Sequence, residues 1–273
     1  MPARPLITLL TDFGTDDTYV GQVKGVLAAR CPDAIVIDLT HAVRPHAIAQ
    51  GAFLLESALE PFPSGTIHLA VVDPGVGTAR SALAIRSRVG GGERLFAGPD
   101  NGLLSCALPL GRRPETPGAV SIPEGVAAVT LDMPPAAVVA ATFHGRDLFA
   151  HAAARLANGV ALERLGRPAA TMQALPPFRA YAGESRSLVG TVIHIDRFGN
   201  VITTVHVSQL RGAPRAVTLA GEHVTRWVHT YGDGEGLVAL IGSSGFLEVA
   251  EVNGSAAARL AVEIGAAVQV EQP

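Results

Sequence analysis

The sequence predicts an α/β N-terminal domain with a mainly parallel sheet, followed by a smaller all-β, barrel-like C-terminal domain. Three observations carry this prediction. The first half alternates short apolar runs with stretches of helical spacing, the second half contains only short strand-like runs, and a segment rich in Pro, Gly and Ser separates them. We expect the N-terminal domain over residues 1–172, a linker over 173–186 and the C-terminal domain over 187–273.

The first half reads as strand, helix, strand, helix, strand. These elements fall at residues 6–10, 20–30, 34–39, 46–59 and 66–72. Such an alternation with short loops is typical of a parallel sheet with right-handed crossovers. Ligands bind beyond the carboxyl ends of such strands, so Asp12 and Asp73, which follow the first and third strands, are expected to face one crevice.

From Leu188 onward the pattern changes to short runs separated by turns that contain Gly and Asp. The runs lie at residues 188–196, 200–205, 216–220, 223–230, 236–241, 245–250 and 267–270. Several short strands at regular spacing predict a small antiparallel barrel or sandwich.

Composition limits the classes of function. The 273 residues are 48% hydrophobic and 16% charged, with a net charge of −3 and no long run of Lys or Arg, so neither nucleic acid nor an anionic membrane is expected as a partner. Cys31 and Cys106 form no CxxC pair, which favours free thiols in a reducing compartment. The first apolar run meets Asp12 too early for a signal segment or a membrane span, so we expect a soluble, cytoplasmic protein.

The segment TDFGTDD places Asp12 at the end of the first strand. Asp12 either caps the helix that follows or accepts hydrogen bonds from a ribose diol, as acidic residues do in nucleotide-binding α/β folds. No GxGxxG follows the strand, and no Lys follows PGVGTARS as a Walker A loop requires. The expected ligand therefore lacks a phosphate chain.

Three further residues combine acid–base and electrostatic chemistry. Asp73 and Arg80 share the Gly-rich loop VDPGVGTAR, and His144 lies in TFHGRD. Taken singly, the first two are compatible with a loop-stabilising ion pair and the third with a buried core histidine. Together they supply a base, a charge that orients it and a titratable proton carrier.

Seven motifs occur in the order found in one enzyme family. They are TDFGTDD, HAVRPH, VDPGVGTAR, GPDNGLL, TFHGRD, IDRFGN and GSSGFLEVA. Over residues 6–254 the chain resembles the S-adenosylmethionine hydroxide adenosyltransferases, which are related to the fluorinases and chlorinases.

The resemblance implies hydrolysis of S-adenosylmethionine to adenosine and methionine by attack of activated water on C5′. It implies a homotrimer whose substrate lies between the N-terminal domain of one subunit and the C-terminal domain of the next, with no metal and no cofactor. The implied catalytic residues are Asp73, Arg80 and His144. The implied substrate contacts are Asp12 to the ribose, Asp17 to the methionine amino group, Asp196 to the methionine part, Asn200 to the adenine, and Ser243 and Ser244 around the methionine carboxylate.

Three alternatives stay open. A halogenase of the chlorinase type is disfavoured by Asp73, because a carboxylate about 4 Å from a halide repels it by about 4 kcal/mol at an effective dielectric constant of about 20, before screening. Gly145, where fluorinases carry serine, discriminates less between the two activities.

A non-catalytic S-adenosylmethionine-binding protein would keep Asp12, Asn200 and Ser243 without needing the three catalytic residues. A metal-dependent hydrolase could use Asp12, Asp73 and His144 as ligands, although no HxH or HExxH spacing supports it.

Overall fold

The computed structural model describes residues 4–133 and 139–273. The chain forms two compact units, Met1–Pro177 and Phe178–Pro273. No helix within the described residues combines the length and the apolar character that crossing a bilayer requires.

The strands of the first unit are β1 (Leu6–Thr11), β2 (Ile35–Thr40), β3 (Thr66–Val71), β4 (Ala82–Val89), β5 (Gly92–Pro99), β6 (Gly118–Ser121), β7 (Ala127–Leu131), β8 (Gly166–Pro168) and β9 (Thr171–Ala174), and its helices are α1 (Tyr19–Arg30), α2 (Ile48–Ser57) and α3 (Ala150–Ala157). Seven of the strands form a mixed sheet in the order β2-β1-β3-β5-β4-β7-β8, and β6 pairs separately with β9. The five elements predicted in the first half are all present, with ends within two residues of the prediction.

The sheet is parallel from β2 through β1 and β3 to β5, and antiparallel from β5 through β4 and β7 to β8. The parallel half is the predicted one. The antiparallel half arises because β4 and β5 form a hairpin whose two turn residues, Gly90 and Gly91, both have positive φ. This is the conformation that a type I′ hairpin turn requires.

The apolar core of this sheet is built from strand residues that face α1 and α3. Ile7, Leu9, Leu69 and Ala84 are fully buried there, together with Phe149 just before α3. Within the sheet, Thr11 of β1 pairs with Val71 of β3, so these two strands end side by side at the same edge.

The second unit is antiparallel and barrel-like, as predicted. Its elements are β10 (Tyr181–Ala182), β11 (Ser187–Ile195), β12 (Val201–His206), β13 (Ala216–Leu219), β14 (Glu222–Val224), β15 (Leu237–Ile241), β16 (Phe246–Glu251), α4 (Ala256–Leu260) and β17 (Ala267–Glu271). The strand order is β14-β13-β17-β11-β12-β16-β15, and β10 pairs with β11. Alternating buried valines such as Val268 and Val270 fill its interior. The short strand β10 falls within the segment predicted as a linker.

Candidate active site

A cavity of about 270 Å³ opens at the carboxyl ends of β1 and β3. Asp12 and Asp73, the residues that follow these two strands, both line it, which confirms that they face one crevice. The first four residues of the TFHGRD segment also line the cavity. The remaining lining residues are Phe13, Tyr19, Pro45, His46, Val71, Val76, Thr142, Phe143, His144 and Gly145.

Asp12 does not cap the following helix. Helix α1 begins at Tyr19, seven residues later, and its N-cap Thr18 makes no side-chain capping bond. The Asp12 Oδ2 atom accepts a hydrogen bond from the backbone N–H of His46 at 2.9 Å, and His46 has the left-handed φ of 66°. Asp12 is thus held at the cavity wall by the HAVRPH segment, half-buried.

The loop that carries Asp73 folds back on itself so that Arg80 returns to it. Thr78 closes the turn, because its hydroxyl donates to the Gly75 carbonyl at 2.6 Å and accepts from the Arg80 N–H at 3.3 Å. Gly77 has φ of 78°, and a Cβ there would lie 2.7 Å from the Ala141 carbonyl oxygen, so the position requires glycine. The Asn101 side chain in GPDNGLL donates to the Val72 carbonyl at 2.9 Å and so fixes the residue before Asp73.

Arg80 binds Asp73 through two nitrogens. Its Nε donates to Asp73 Oδ1 at 2.7 Å, and its Nη2 donates to Asp73 Oδ2. The two side chains are only 11% and 5% exposed, so the pair is poorly screened by water. The guanidinium carbon also lies 5.3 Å from the ring centroid of Phe149, a cation–π contact that stabilises its position.

The same Arg80 Nη2 lies 3.0 Å from His144 Nδ1. Arginine has no acceptor, so Nδ1 accepts this bond and the neutral His144 ring carries its hydrogen on Nε2. Burial, together with the Arg80 charge, lowers the pKa of His144, while Asp73 and Asp147 oppose the shift. His144 is therefore a neutral ring at pH 7 with a fixed tautomer.

His144 owes its position to an irregular helix start. A π-helical turn spans Gly145–Phe149 directly before α3, and such turns are frequent at functional sites. Asp147 ties this turn to the preceding chain, because its Oδ2 accepts from the Ala140 N–H at 2.8 Å and it pairs with Arg146.

Sequence reasoning missed an aromatic cluster in this cavity. Phe13, Tyr19 and Phe143 contact one another edge-to-face, with ring centroids 6.0 Å (Phe13–Tyr19), 5.8 Å (Phe13–Phe143) and 5.1 Å (Tyr19–Phe143) apart. Two of these residues adjoin quoted motif residues, Asp12 and His144. That adjacency was the available signal, but their mutual contact depends on the fold.

The second unit contains its own cavity, of about 910 Å³, lined by Asp196, Asn200 and Ser243 of the predicted set. Asp196 Oδ1 accepts from the backbone N–H groups of Phe198 and Asn200, each at 2.9 Å. The Asn200 side-chain amide donates to Asp196 Oδ2 at 2.9 Å. The IDRFGN segment is thus a rigid turn that presents Asn200 to the cavity.

A buried carboxyl in this second cavity was not predicted. The Tyr231 hydroxyl donates to Glu248 Oε2 at 3.0 Å, and Asn200 Nδ2 lies 3.4 Å from the Tyr231 oxygen. Burial and the Asp196 charge raise the pKa of Glu248, although the Tyr231 bond opposes the shift. Burial and the Glu248 charge raise the pKa of Tyr231 to about 12. Glu248 lies in the GSSGFLEVA motif, but nothing in its pattern distinguishes it from a solvent-facing strand residue.

Two predicted contacts lie apart from the cavity linings. Asp17 is an exposed residue just before α1, and Ser244 is half-buried next to Ser243. Neither is among the residues that line the two cavities in the described part of the chain.

The residue types in the first cavity were also compatible with a metal site. Over residues 4–133 and 139–273, no three His, Cys, Asp or Glu side chains converge as a metal-binding group. Asp12, Asp73 and His144 thus do not form such a group.

Comparison with known proteins places both units in one family. The family models for the SAM hydroxide adenosyltransferase N-terminal and C-terminal domains match residues 7–166 and 190–269. A relative from Thermus thermophilus named "(R)-S-adenosyl-L-methionine hydrolase" is 41% identical, over 98% of this chain and 99% of its own length. A fluorinase from Nocardia brasiliensis is 30% identical, over 98% and 97%.

Solved structures agree with this match. A crystal structure titled as an uncharacterized conserved protein from Thermotoga maritima has a TM-score of 0.82 at 29% identity, over 97% of this chain and 100% of that one. Two family models that together match most of the chain, and a relative that is similar from end to end, lead to one conclusion: this chain belongs to the SAM hydroxide adenosyltransferase family.

Proposed function

We propose that this protein hydrolyses S-adenosyl-L-methionine to adenosine and L-methionine. The observation that carries this proposal is that Asp73 and His144 line one cavity and that Arg80 joins the two. A protein that only bound the substrate would need the residues that hold it, but not a buried base fixed by an arginine and a neutral histidine. Membership of the family and the name of the Thermus thermophilus relative support the same activity.

The reaction needs help mainly at the nucleophile. The sulfonium leaves as a neutral thioether, so its departure requires no acid and no metal, and we propose that no cofactor takes part. A water oxygen forms a bond to C5′, the C5′–S bond breaks with its electron pair going to sulfur, and the water releases one proton. Holding the water in line can supply several kcal/mol, up to roughly 7–11 in intramolecular models.

We propose that Asp73 accepts this proton, and the tautomer of His144 supports the proposal. Neutral His144 has its Nδ1 lone pair directed at Arg80 and a hydrogen on Nε2, so it can donate to the water oxygen but has no free site for a proton. Arg80 has no acceptor either. The Asp73 carboxylate, with lone pairs beyond those that Arg80 uses, is then the proton acceptor among the three.

Asp12 is proposed to accept the ribose hydroxyls. One of its oxygens accepts from His46, and the carboxylate retains lone pairs at the cavity wall. Asn200 and Asp196 are proposed to hold the adenine and methionine parts in the second cavity, which Ser243 also lines. Ser243 and its neighbour Ser244 are proposed to surround the methionine carboxylate, Ser244 on the family resemblance alone. Asp17 is proposed to bind the methionine amino group.

We propose a homotrimer in which the cavity of the first unit meets the second-unit cavity of a neighbouring subunit. Its support is that the predicted ligand contacts are divided between two cavities, one in each unit. We propose a cytoplasmic location, because Cys31 and Cys106 are free, buried thiols. We propose the (R)-sulfonium epimer as substrate, following the name of the Thermus thermophilus relative.

The alternative of a halogenase has one specific observation in its favour. Arg80 compensates the charge of Asp73, so the repulsion of a halide is weaker than that of an isolated carboxylate. The halogenase alternative leaves the Asp73 carboxylate without a task as a base, because a halide ion that attacks C5′ releases no proton.

Product analysis separates these activities. Purified protein is incubated with the separated (R) and (S) epimers of S-adenosylmethionine, with and without EDTA and with and without chloride or fluoride, and the products are identified by chromatography. We expect adenosine and methionine in equal amounts from the (R) epimer under every condition. A 5′-halo-5′-deoxyadenosine, a loss of activity with EDTA, or no turnover would contradict the proposal.

A further inference from the structure

We propose that the aromatic cluster of Phe13, Tyr19 and Phe143 recognises the positive charge of the sulfonium, and so makes the site prefer the charged substrate over neutral thioethers. This inference rests on the proposed function, because it assigns a further specificity determinant to the same substrate.

A sulfonium carries a full positive charge but no N–H or O–H group, so it cannot be recognised by donating a conventional hydrogen bond. It can be stabilised by a carboxylate or by the face of an aromatic ring. In the first cavity each carboxylate already has a proposed role: Asp73, paired with Arg80, faces the water, and Asp12 faces the ribose hydroxyls. Phe13, Tyr19 and Phe143 also line the cavity, and the face of each ring can stabilise a cation.

The position of Phe13 fits this task. It directly follows Asp12 in the chain, and its ring lies against Gly145, the residue after His144. A Cβ at position 145 would lie 3.1 Å from Phe13 Cζ, so glycine allows the ring to approach the catalytic segment. The sulfur is bonded to C5′ on the side opposite the attacking water, and C5′ also carries the ribose. The Phe13 ring lines the cavity that holds both the proposed ribose carboxylate and the catalytic segment, so the proposal places the sulfur beside this ring.

The cluster already accommodates one cation. The Arg146 guanidinium carbon lies 4.8 Å from the Phe143 ring centroid, within the range of a cation–π contact. Asp147 neutralises that arginine through two hydrogen bonds. One face of the Phe143 ring is thus already covered by Arg146, whose charge Asp147 neutralises. Neither Phe13 nor Tyr19 has a cation over its ring among the described residues. Tyr19 is also 47% exposed at the cavity.

The reaction itself gives this contact a kinetic signature. The charge on sulfur disappears as the C5′–S bond breaks, so a ring that stabilises the sulfonium stabilises bound substrate more than the transition state. Removing the ring raises KM without lowering kcat, because the lost interaction is made in the ground state. A variant that only damaged the fold would lower kcat or the amount of active enzyme instead.

The test compares Phe13→Leu with Phe13→Tyr, the first removing the π face while keeping apolar volume, and the second keeping the ring. KM and kcat are measured for S-adenosylmethionine, and the inhibition constant is measured for S-adenosylhomocysteine, its neutral thioether analogue. We expect Phe13→Leu to raise KM by roughly 2- to 30-fold, the range of a cation–π contact, with kcat unchanged or higher and the inhibition constant within about two-fold of wild type. Phe13→Tyr should behave as wild type.

A parallel rise in KM and in the inhibition constant would overturn the inference, because the ring would then be only an apolar wall; no change in either would overturn it as well. Tyr19→Leu, at a more exposed position, serves if Phe13→Leu does not fold. If wild-type protein forms no adenosine, the proposed function fails, and the dissociation constants of the two ligands, measured by calorimetry, still test the charge preference by themselves.

Discussion

Arg80 joins Asp73 and His144 into one unit. Its Nε and Nη2 atoms both donate to the Asp73 carboxylate, and Nη2 also lies 3.0 Å from His144 Nδ1. One guanidinium therefore sets the direction of the carboxylate and the tautomer of the imidazole together. Loss of Arg80 is therefore expected to disturb both side chains at once.

Asp73→Asn removes the proposed proton acceptor while keeping the shape of the side chain. We expect kcat to fall by about 10²- to 10⁴-fold, the usual contribution of a general base, with little change in the dissociation constant for S-adenosylmethionine. Single-turnover kinetics and calorimetry measure the two quantities. A kcat within three-fold of wild type would exclude Asp73 as the base.

Arg80→Ala leaves the Asp73 carboxylate buried without its partner. We expect the free energy of unfolding to fall by about 3–5 kcal/mol, as for other buried pairs that lose one member. Lys24→Ala is the matched control, because the Lys24–Asp38 pair is 40% and 38% exposed and should contribute no more than about 1 kcal/mol. Urea denaturation gives the free energy of unfolding of both variants. Equal losses of stability would show that the buried pair contributes no more than the exposed one.

The fold could be predicted from the sequence up to the third strand, whereas the candidate site could be predicted only in part. Apolar runs and helical spacing located the first five elements and placed Asp12 and Asp73 at one edge, because parallel neighbours end together. The β4–β5 hairpin was missed although Gly90 and Gly91 mark its turn, since a Gly pair also fits an ordinary loop.

Contacts between distant residues were beyond sequence reasoning. The Phe13–Tyr19–Phe143 cluster and the Tyr231–Glu248 bond each join residues that no spacing relates. The tautomer of His144 is of the same kind, because it depends on which ring nitrogen faces Arg80. The roles of Asp17 and Ser244 stay predictions from family resemblance.

The pH dependence of activity reports on His144. Its pKa is lowered below the ordinary 6.5, so the folded protein keeps the ring neutral at pH values where an unfolded chain would protonate it. Stability and activity that depend on the neutral ring are therefore complete above pH 6.5 and decline only as the pH falls below that value. We expect the acid limb of kcat/KM to lie below pH 6.5 and to change in His144→Gln. A limb above pH 6.5 that persists in the variant would assign it to another group.

Asp12→Ala tests the ribose contact. Loss of a charged hydrogen-bond acceptor costs about 1.5–3 kcal/mol, so we expect binding of S-adenosylmethionine to weaken by about 10- to 150-fold. Asp16→Ala removes an exposed carboxylate of the same loop and should bind as wild type. Calorimetry gives both affinities, and equal binding by the two variants would leave Asp12 with a purely structural bond to His46.

The source of the oxygen in the product shows whether water is the nucleophile. In the proposed mechanism, water activated by Asp73 and aligned by His144 attacks C5′, so the new 5′-hydroxyl oxygen comes from solvent. The reaction is run in ¹⁸O-labelled water, and adenosine and methionine are analysed by mass spectrometry. We expect one ¹⁸O atom at the 5′ position of adenosine and none in methionine. Adenosine without the label, or label found in methionine, would contradict the proposed mechanism.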